Sequence, residues 1–147
     1  MFSKATEYAL RATIFIAQKG SEMAKLGIDE IAQAIDSPKS FTAKILQLLS
    51  RDNHIVSSVR GPNGGFYLTE KAKQLPISTI LQAMGEEERL EKCVMGLKQC
   101  SETKPCPMHL QFKPIRKQLK ELFESKSIQE FAAEIKDGVI FISNQPH

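Results

Sequence analysis

The sequence predicts a mainly α-helical fold with one small β-hairpin, and three observations support this prediction. Apolar residues recur at helical spacing over most of the 147 residues, a length that can bury a core of its own. A glycine-rich turn at 61–65 separates two short segments that alternate like strands. A stretch around residue 100 holds all three cysteines and has little apolar periodicity.

The composition excludes several classes of protein. No run of about 18 apolar residues occurs, so we expect no membrane-spanning helix and no membrane partner. The N-terminus lacks the apolar segment of a secretory signal, which predicts a cytoplasmic protein. An odd count of three cysteines fits a disulfide framework poorly and favours reduced thiols.

Three helices are predicted in the first third of the chain: Ser3 to about Gln18, residues 28–35, and Pro38 to about Arg51. Ser37 is expected to cap the third helix, with Pro38 at its first position. Two short helices joined by a tight turn are typical of a helix-turn-helix. The third helix is expected to bury one stripe, Phe41, Ile45, Leu48 and Leu49. Its opposite, polar face holds the candidate base-contacting residues Lys39, Ser40, Ala43, Lys44 and Gln47.

A predicted β-hairpin follows the helix-turn-helix directly, with strands at 55–60 and 66–69. A hairpin in this position is a wing, and its glycines let the backbone approach a ligand closely. Residues 37–73 hold six Lys or Arg against two Asp or Glu, so the local charge is positive. Arg60, at the base of the hairpin, can enter an electronegative minor groove. Together these features predict a winged helix-turn-helix that binds double-stranded DNA.

The run Ile55-Val-Ser-Ser-Val-Arg-Gly-Pro-Asn-Gly-Gly-Phe-Tyr-Leu68 closely resembles the wing of the Rrf-type family of bacterial winged-helix regulators, which has IscR-like, NsrR-like and CymR-like members. The opening Tyr8-Ala9-Leu10-Arg11 and the three-cysteine stretch extend the resemblance over essentially the whole chain. It implies a homodimer on a roughly palindromic operator. It also implies DNA contacts from the recognition helix and from Arg60, Gly61, Pro62 and Asn63 of the wing. IscR-like members have a glutamate at the position of Ala43, so we expect a different operator preference.

The cysteine stretch has the spacing C-x6-C-x5-C-x2-H, formed by Cys93, Cys100, Cys106 and His109. Zinc is one candidate, but structural zinc sites usually bring closer cysteine pairs, whereas wider gaps suit an iron–sulfur cluster. The resemblance matches the three cysteines to cluster thiolates and favours a 2Fe-2S cluster, with 4Fe-4S possible. It offers two fourth ligands: His109, which we favour, and Glu7 reaching across from the partner subunit.

A long helix is predicted after the cysteines, because Met108 and four further apolar residues repeat at gaps of four and three. The resemblance favours dimerisation through this seam, which consists of Phe112, Ile115, Leu119 and Leu122. Pro114 must kink this helix or start a new one. Ser127 and Glu130 form a capping box for a last helix. No role is assigned to residues 139–147, and residues 86–89 are interpreted as a solvated charge run.

The predicted organisation is one compact unit with three parts. Residues 1–84 form the DNA-binding domain, 85–109 the cluster-binding loop, and 110–147 the dimerisation and C-terminal helices. The predicted function is a homodimeric transcriptional regulator that senses redox state, nitric oxide or iron–sulfur status through a cluster. The alternative is a cluster-free regulator of the same fold that responds through thiols, zinc or a small metabolite. No catalytic constellation is present, so an enzyme is not expected.

Overall fold

The computed structural model describes residues 1–136 and 138–145, which form a mainly helical fold with one antiparallel hairpin. Short 3-10 turns at Arg51–Asn53 and Glu87–Leu90 join some of these elements. The helices and strands, in chain order, are α1 (Lys4–Lys19), α2 (Ile28–Ala34), α3 (Lys39–Leu49), β1 (Ser57–Val59), β2 (Gly65–Tyr67), α4 (Glu70–Lys73), α5 (Ser78–Ala83), α6 (His109–Ser125) and α7 (Ile128–Glu134).

Helix α1 lies at the centre of the fold and packs against α2, α3, α5 and α7. Its start is fixed by Ser3, whose side chain accepts a hydrogen bond from the backbone N–H of Thr6. Ala9, Ala12 and Ile16 have no solvent exposure, so the small residues let the neighbouring helices approach closely. The helix ends at Lys19, with Gly20 as its C-cap, close to the predicted end at about Gln18.

The turn between α2 and α3 differs from the prediction by one residue. Asp36 adopts a left-handed conformation, with φ of 55°, and Pro38 is extended. Pro38 is therefore the N-cap of α3, and the prediction that Ser37 caps this helix is wrong. The Ser37 hydroxyl instead faces the carbonyl oxygen of Pro38, at 3.4 Å.

The buried stripe of α3 is also rotated relative to the prediction. Ile45 and Leu49 are buried, as expected, but Leu46 occupies the place assigned to Leu48, which is 37% exposed. Phe41 is half-buried and packs edge-on against Tyr8 of α1, with ring centroids 5.5 Å apart. Because α1 lies to one side of α3, it selects the side of the apolar stripe that becomes buried.

The wing is a hairpin supported by a third chain segment. Ser57 pairs with Tyr67 and Val59 with Gly65, which confirms the predicted antiparallel hairpin in shorter form. Leu26, just before α2, exchanges two backbone hydrogen bonds with Phe66, at 2.9 and 2.8 Å. Since β2 is held on both edges, the wing is anchored to the helix-turn-helix. No local sequence pattern predicts this bridge.

The C-terminal part returns to the DNA-binding domain. Residues 75–77 and 126–128 pair through backbone hydrogen bonds of 3.0 Å, and α7 packs along α1. Ser127 caps α7 by accepting from the N–H of Glu130, as predicted. Ile77 is the N-cap of α5. Part of the segment 110–147, namely residues 137, 146 and 147, lies outside the described residues.

Helix α6 is the longest helix and runs without interruption from His109 to Ser125. A new helix starting at Pro114, one of the two predicted alternatives, is therefore wrong. Near the end of α6, the rings of Phe2 and Phe123 make an edge contact at 5.4 Å. Within the described residues, no helix is long and apolar enough to cross a membrane.

Candidate nucleic-acid interface and metal centre

The polar face of α3 is presented to solvent. All five residues predicted to contact bases, Lys39, Ser40, Ala43, Lys44 and Gln47, are exposed. Lys39 forms an ion pair with Asp29 of α2, at 3.0 Å, but both side chains are mostly exposed and the pair is weak. A DNA phosphate can therefore compete for this lysine.

The wing lies beside the exposed face of α3. A shallow cleft of about 320 Å³ separates the two elements and is lined in part by Ala43, Gln47 and Ser58. The tip residues, Arg60, Gly61, Pro62 and Asn63, are all exposed. The cleft thus joins part of the helix face chosen from the sequence to the wing, and Arg60 forms no ion pair with an acidic side chain among the described residues.

The cysteine loop folds against the start of α6, and Cys93 is its most buried thiol, at 6% exposure. Backbone N–H groups of Leu97 and Met95 point to its sulfur and lower the pKa of Cys93 below its usual 9.0. The turn that aims them is closed by a 3.0 Å bond from Gly96 N–H to the Cys93 carbonyl, with Gly96 at φ of 81°. Lowering the pKa of this thiol favours the thiolate, the form that binds metals.

The four predicted ligands form two pairs. Cys106 lies within hydrogen-bonding reach of Cys93, and this contact also lowers the pKa of Cys93. The sulfur of Cys100 lies 3.3 Å from Nδ1 of His109. For comparison, a sulfur and a nitrogen bound to one tetrahedral metal are separated by roughly 3.5 Å. No disulfide joins the three cysteines.

His109 is buried at the first position of α6, at 3% exposure. Its second ring nitrogen, Nε2, lies 3.2 Å from a carboxylate oxygen of Glu102 but is not aligned for a hydrogen bond. Glu102 also forms an ion pair with Lys113. The pKa of Glu102 is lowered first by the hydrogen bond from Lys113 and then by His109. A carboxylate beside the outer nitrogen is the usual support of a metal-binding histidine. No sequence pattern pointed to Glu102 or Lys113 as part of this site.

The arrangement does not form a single closed chelate. Among residues 1–136 and 138–145, no three His, Cys, Asp or Glu side chains are placed to hold one metal ion together. Glu7, the alternative fourth ligand, is exposed in the first turn of α1. The donors are thus arranged as two neighbouring pairs, with Glu7 on the outside of the single chain.

The interpretation of residues 86–89 as a solvated charge run is wrong for Glu86. Its side chain is buried and accepts hydrogen bonds from Ser3 and Thr6 at the start of α1. Arg89, four residues before Cys93, pairs with Glu86 and donates to the carbonyl of Met1 at 2.9 Å. These contacts fasten the beginning of the cysteine loop to α1.

The helix-turn-helix, the wing and the exposed cationic face together define a DNA-binding transcriptional regulator of the winged-helix class. Residues 2–134 match the family model described as "Rrf2: Iron-dependent Transcriptional regulator", and the chain belongs to this family. Family and relatives are regulators, so the expectation that the chain is not an enzyme is confirmed, as is the resemblance on which the sequence analysis relied.

Two relatives illustrate the similarity in sequence. An HTH-type transcriptional regulator of Aquifex aeolicus is 30% identical over 132 residues, covering 88% of this chain and 90% of the relative. The HTH-type transcriptional regulator IscR of Photorhabdus laumondii is 25% identical over 123 residues, covering 84% and 73%, respectively.

Solved structures confirm the fold. CymR, the global cysteine regulator of B. subtilis, superimposes with a TM-score of 0.71 at 20% identity, covering 92% of this chain and 98% of CymR. IscR of T. potens gives a TM-score of 0.63 at 17% identity, covering 94% and 93%. The predicted mainly α fold with a winged helix-turn-helix is therefore correct.

Proposed function

We propose that this chain is a homodimeric, cytoplasmic regulator that binds operator DNA and senses redox state, nitric oxide or iron–sulfur status through a cluster held by Cys93, Cys100, Cys106 and His109. The observation that carries this proposal is the pairing at the start of α6. There, the Cys100 sulfur faces one nitrogen of a buried histidine, while the carboxylate of Glu102 lies beside the other.

The donor set supports a cluster over a single zinc ion. Each iron of a two-iron cluster takes two protein ligands, and the loop offers Cys93 with Cys106 and Cys100 with His109 as neighbouring pairs. One neutral nitrogen among the ligands also makes such a site less negative and more sensitive to protonation. A bound cluster would supply one-electron redox chemistry and a target for oxidants.

A path from the metal site to DNA runs through α1. Glu86 and Arg89 connect the loop to the first turn of α1, and Phe2 contacts Phe123 of α6. Helix α1 in turn packs against α3. Reorganisation of the cysteine loop would therefore shift α1 and α6 together and alter the spacing of the two recognition helices, which must match about one turn of DNA.

The cluster-free alternative is supported by two observations. The fold matches that of CymR, a cysteine regulator, and the pKa of the Cys93 thiol is lowered. A thiol with a lowered pKa is more reactive toward oxidants. In this alternative, the three thiols respond directly and no iron is required.

The visible spectrum of the protein purified without oxygen separates the two functions. We expect sulfide-to-iron charge-transfer bands together with iron and inorganic sulfide, and we expect Cys100→Ala to lose them. Met95→Ala, which truncates an exposed side chain in the same loop, serves as the control. A colourless wild-type protein without iron and sulfide would refute the cluster and leave the thiol-based function.

The fourth ligand is tested by comparing His109→Cys and Glu7→Gln. We expect His109→Cys to shift the spectrum and lower the reduction potential, because a thiolate replaces a neutral nitrogen. We expect Glu7→Gln to leave both unchanged. The opposite pattern would assign the ligand to Glu7 of the partner subunit.

The DNA-binding surface is tested with an operator obtained by in vitro selection on the wild-type protein. Arg60→Ala and Gln47→Ala should each weaken operator binding by roughly 5- to 150-fold. This corresponds to the loss of about 1–3 kcal/mol per specific contact. Fluorescence anisotropy at fixed salt measures the change. Lys19→Ala, an exposed change at the far end of α1, is the control. Unchanged affinity in both Arg60→Ala and Gln47→Ala would contradict the assigned surface.

A further inference from the structure

A cavity of about 640 Å³ lies between the cysteine loop and α6. Leu90, Glu91 and Cys100 line its loop side, and Pro114 lies on its helix side. The helix also contributes four basic residues to the lining, Lys113, Arg116, Lys117 and Lys120. Their spacing of i, i+3, i+4 and i+7 places them on one face of α6. The volume lies within the range of about 300–1,000 Å³ that is usual for small-molecule sites.

The outer two of these basic residues are already paired. Lys113 binds Glu102, and Lys120 binds Glu91 at 2.6 Å. The hydrogen bond between Lys120 and Glu91 raises the pKa of the lysine and lowers that of the carboxyl group, so both stay charged at neutral pH. These pairs close the two ends of the basic stripe.

The central two residues are not paired in this way. Among the described residues, neither Arg116 nor Lys117 has a carboxylate within ion-pair distance. In addition, Nη1 of Arg116 is buried and has no hydrogen-bond partner in the part of the chain that the structure describes. A buried donor without a partner costs free energy, and rotation of the partly exposed guanidinium toward an anion in the cavity would recover that cost.

The cavity borders the proposed metal site without coinciding with it, and it is separate from the dimer seam. Of the four proposed metal ligands, Cys100 alone is in its lining. The basic stripe also lies about a third of a turn around α6 from the seam that contains Ile115 and Leu122. A molecule in the cavity would therefore contact the loop and α6 without occupying the dimer contact.

We propose that this cavity binds a small organic anion, with its phosphate or carboxylate group held by Arg116 and Lys117 and its apolar part against Leu90 and Pro114. A guanidinium binds either oxyanion through two parallel hydrogen bonds, and the neighbouring ammonium adds a point charge. Because the ligand would bridge the cysteine loop and α6, it would stabilise the loop on this helix. The inference requires neither a bound cluster nor DNA.

Isothermal titration calorimetry of the full-length protein at constant ionic strength tests the proposal, with phenyl phosphate and phenylacetate as probes. We expect saturable binding of at least one probe, at one molecule per chain, and the stronger probe distinguishes a phosphate from a carboxylate site. The double variant Arg116→Gln, Lys117→Gln should weaken binding by at least about tenfold, since two charge-assisted contacts are lost. Lys136→Gln, an exposed change near α7, should leave affinity within about twofold of wild type.

Several outcomes would overturn the proposal. One is the absence of saturable binding by either probe, and another is an equal loss of affinity in the double variant and in Lys136→Gln. Cys106→Ala, which removes a proposed metal ligand outside the lining, should retain anion binding; if it abolishes binding instead, the cavity belongs to the metal site. Should the double variant melt more than about 5 °C below wild type, Lys117→Gln, whose side chain is exposed, replaces it in the comparison.

Discussion

Glu86 ties the beginning of the cysteine loop to the first turn of α1. Burial acts to raise the pKa of Glu86, but hydrogen bonds from the side chains of Ser3 and Thr6, a backbone bond from Ser3, and the charge of Arg89 outweigh it. The net result is a pKa below the usual 4.5. The carboxylate also lies at the N-terminus of α1, where the helix dipole favours negative charge.

The lowered pKa of Glu86 predicts a pH-dependent stability. A carboxyl group whose pKa is lower in the folded state stabilises that state above the unfolded pKa, and this contribution is lost as pH falls through the folded pKa. We therefore expect Glu86→Gln to reduce the free energy of unfolding by about 1–3 kcal/mol at pH 7, with a smaller difference near pH 3. Urea denaturation followed by circular dichroism measures both values.

Glu88→Gln is the matched control for this prediction, because Glu88 is an exposed carboxylate in the same 3-10 turn. We expect it to change stability by less than about 0.5 kcal/mol at either pH. If the two variants show the same pH profile, Glu86 does not hold the loop to α1.

His109 shows how the chemistry of one residue depends on its neighbours. Its position three residues after Cys106 makes it a candidate ligand, but the sequence says nothing about its two nitrogens. Folding places the Cys100 sulfur beside Nδ1 and Glu102 beside Nε2. In the proposed metal site, this arrangement favours Nδ1 as the ligand atom, since a carboxylate lies beside the other nitrogen.

Among the elements, the wing depends most on backbone geometry. The N–H of Gly64 donates to the Gly61 carbonyl at 2.9 Å, which closes the tip, while Gly61 and Gly65 have positive φ. A Cβ at Gly64 would overlap the carbonyl oxygen of Val59 and approach the carbonyl oxygen of Gly61 to 2.9 Å. The tip therefore has no space for a side chain at this position.

A Gly64→Ala substitution should consequently distort the wing. We expect the free energy of unfolding to fall by about 1–3 kcal/mol, because the contact is with rigid backbone rather than with a movable side chain. Urea denaturation measures the loss, and circular dichroism is the suitable signal since the chain has no tryptophan.

Gly27→Ala provides the comparison for the wing variant. A Cβ at Gly27 would meet no atom within 4 Å, and the residue serves only as the N-cap of α2. Gly27→Ala should lower the free energy of unfolding by no more than about 1 kcal/mol, the usual range for a substitution at an N-cap. Equal destabilisation by both substitutions would show that the tip tolerates a side chain.

At the scale of the whole molecule, α6 presents an apolar surface that the single chain does not cover. Ile115 is 58% exposed and Leu122 is 45% exposed, while Phe112 and Leu119 of the same seam are half-buried. The helix is about 25 Å long, enough for an extended contact with a second copy. The proposed dimer would bury this surface.

Ile115→Asp should therefore dissociate the proposed dimer, because association would bury an unpaired carboxylate. We expect sedimentation velocity to show a shift from dimer to monomer at micromolar concentration. The fold should be retained, since Ile115 is exposed in the single chain.

Leu110→Asp is the control for the dimer prediction. Leu110 lies on α6 as well and is 79% exposed, but it points away from the seam. It should leave the dimer intact. Dissociation by both variants, or by neither, would contradict dimerisation through the predicted seam.

The periodic apolar pattern of this chain determined most of its helices, because each helix must bury one stripe. The Gly-rich turn determined the wing, since few other residues adopt its backbone angles. The spacing of the cysteines and His109 predicted a metal-binding loop, and this stays a prediction. These features are local, so one sequence is enough to predict them.

Tertiary structure decided the features that depend on which segments meet. It selected Leu46 over Leu48 as the buried residue of α3, because α1 packs on that side. It brought Leu26 to the wing and Glu86 to α1, across separations along the chain that no local pattern encodes. It also placed Arg116 and Lys117 in a cavity facing the loop. Periodicity identifies the faces of an element, but long-range packing decides what each face contacts.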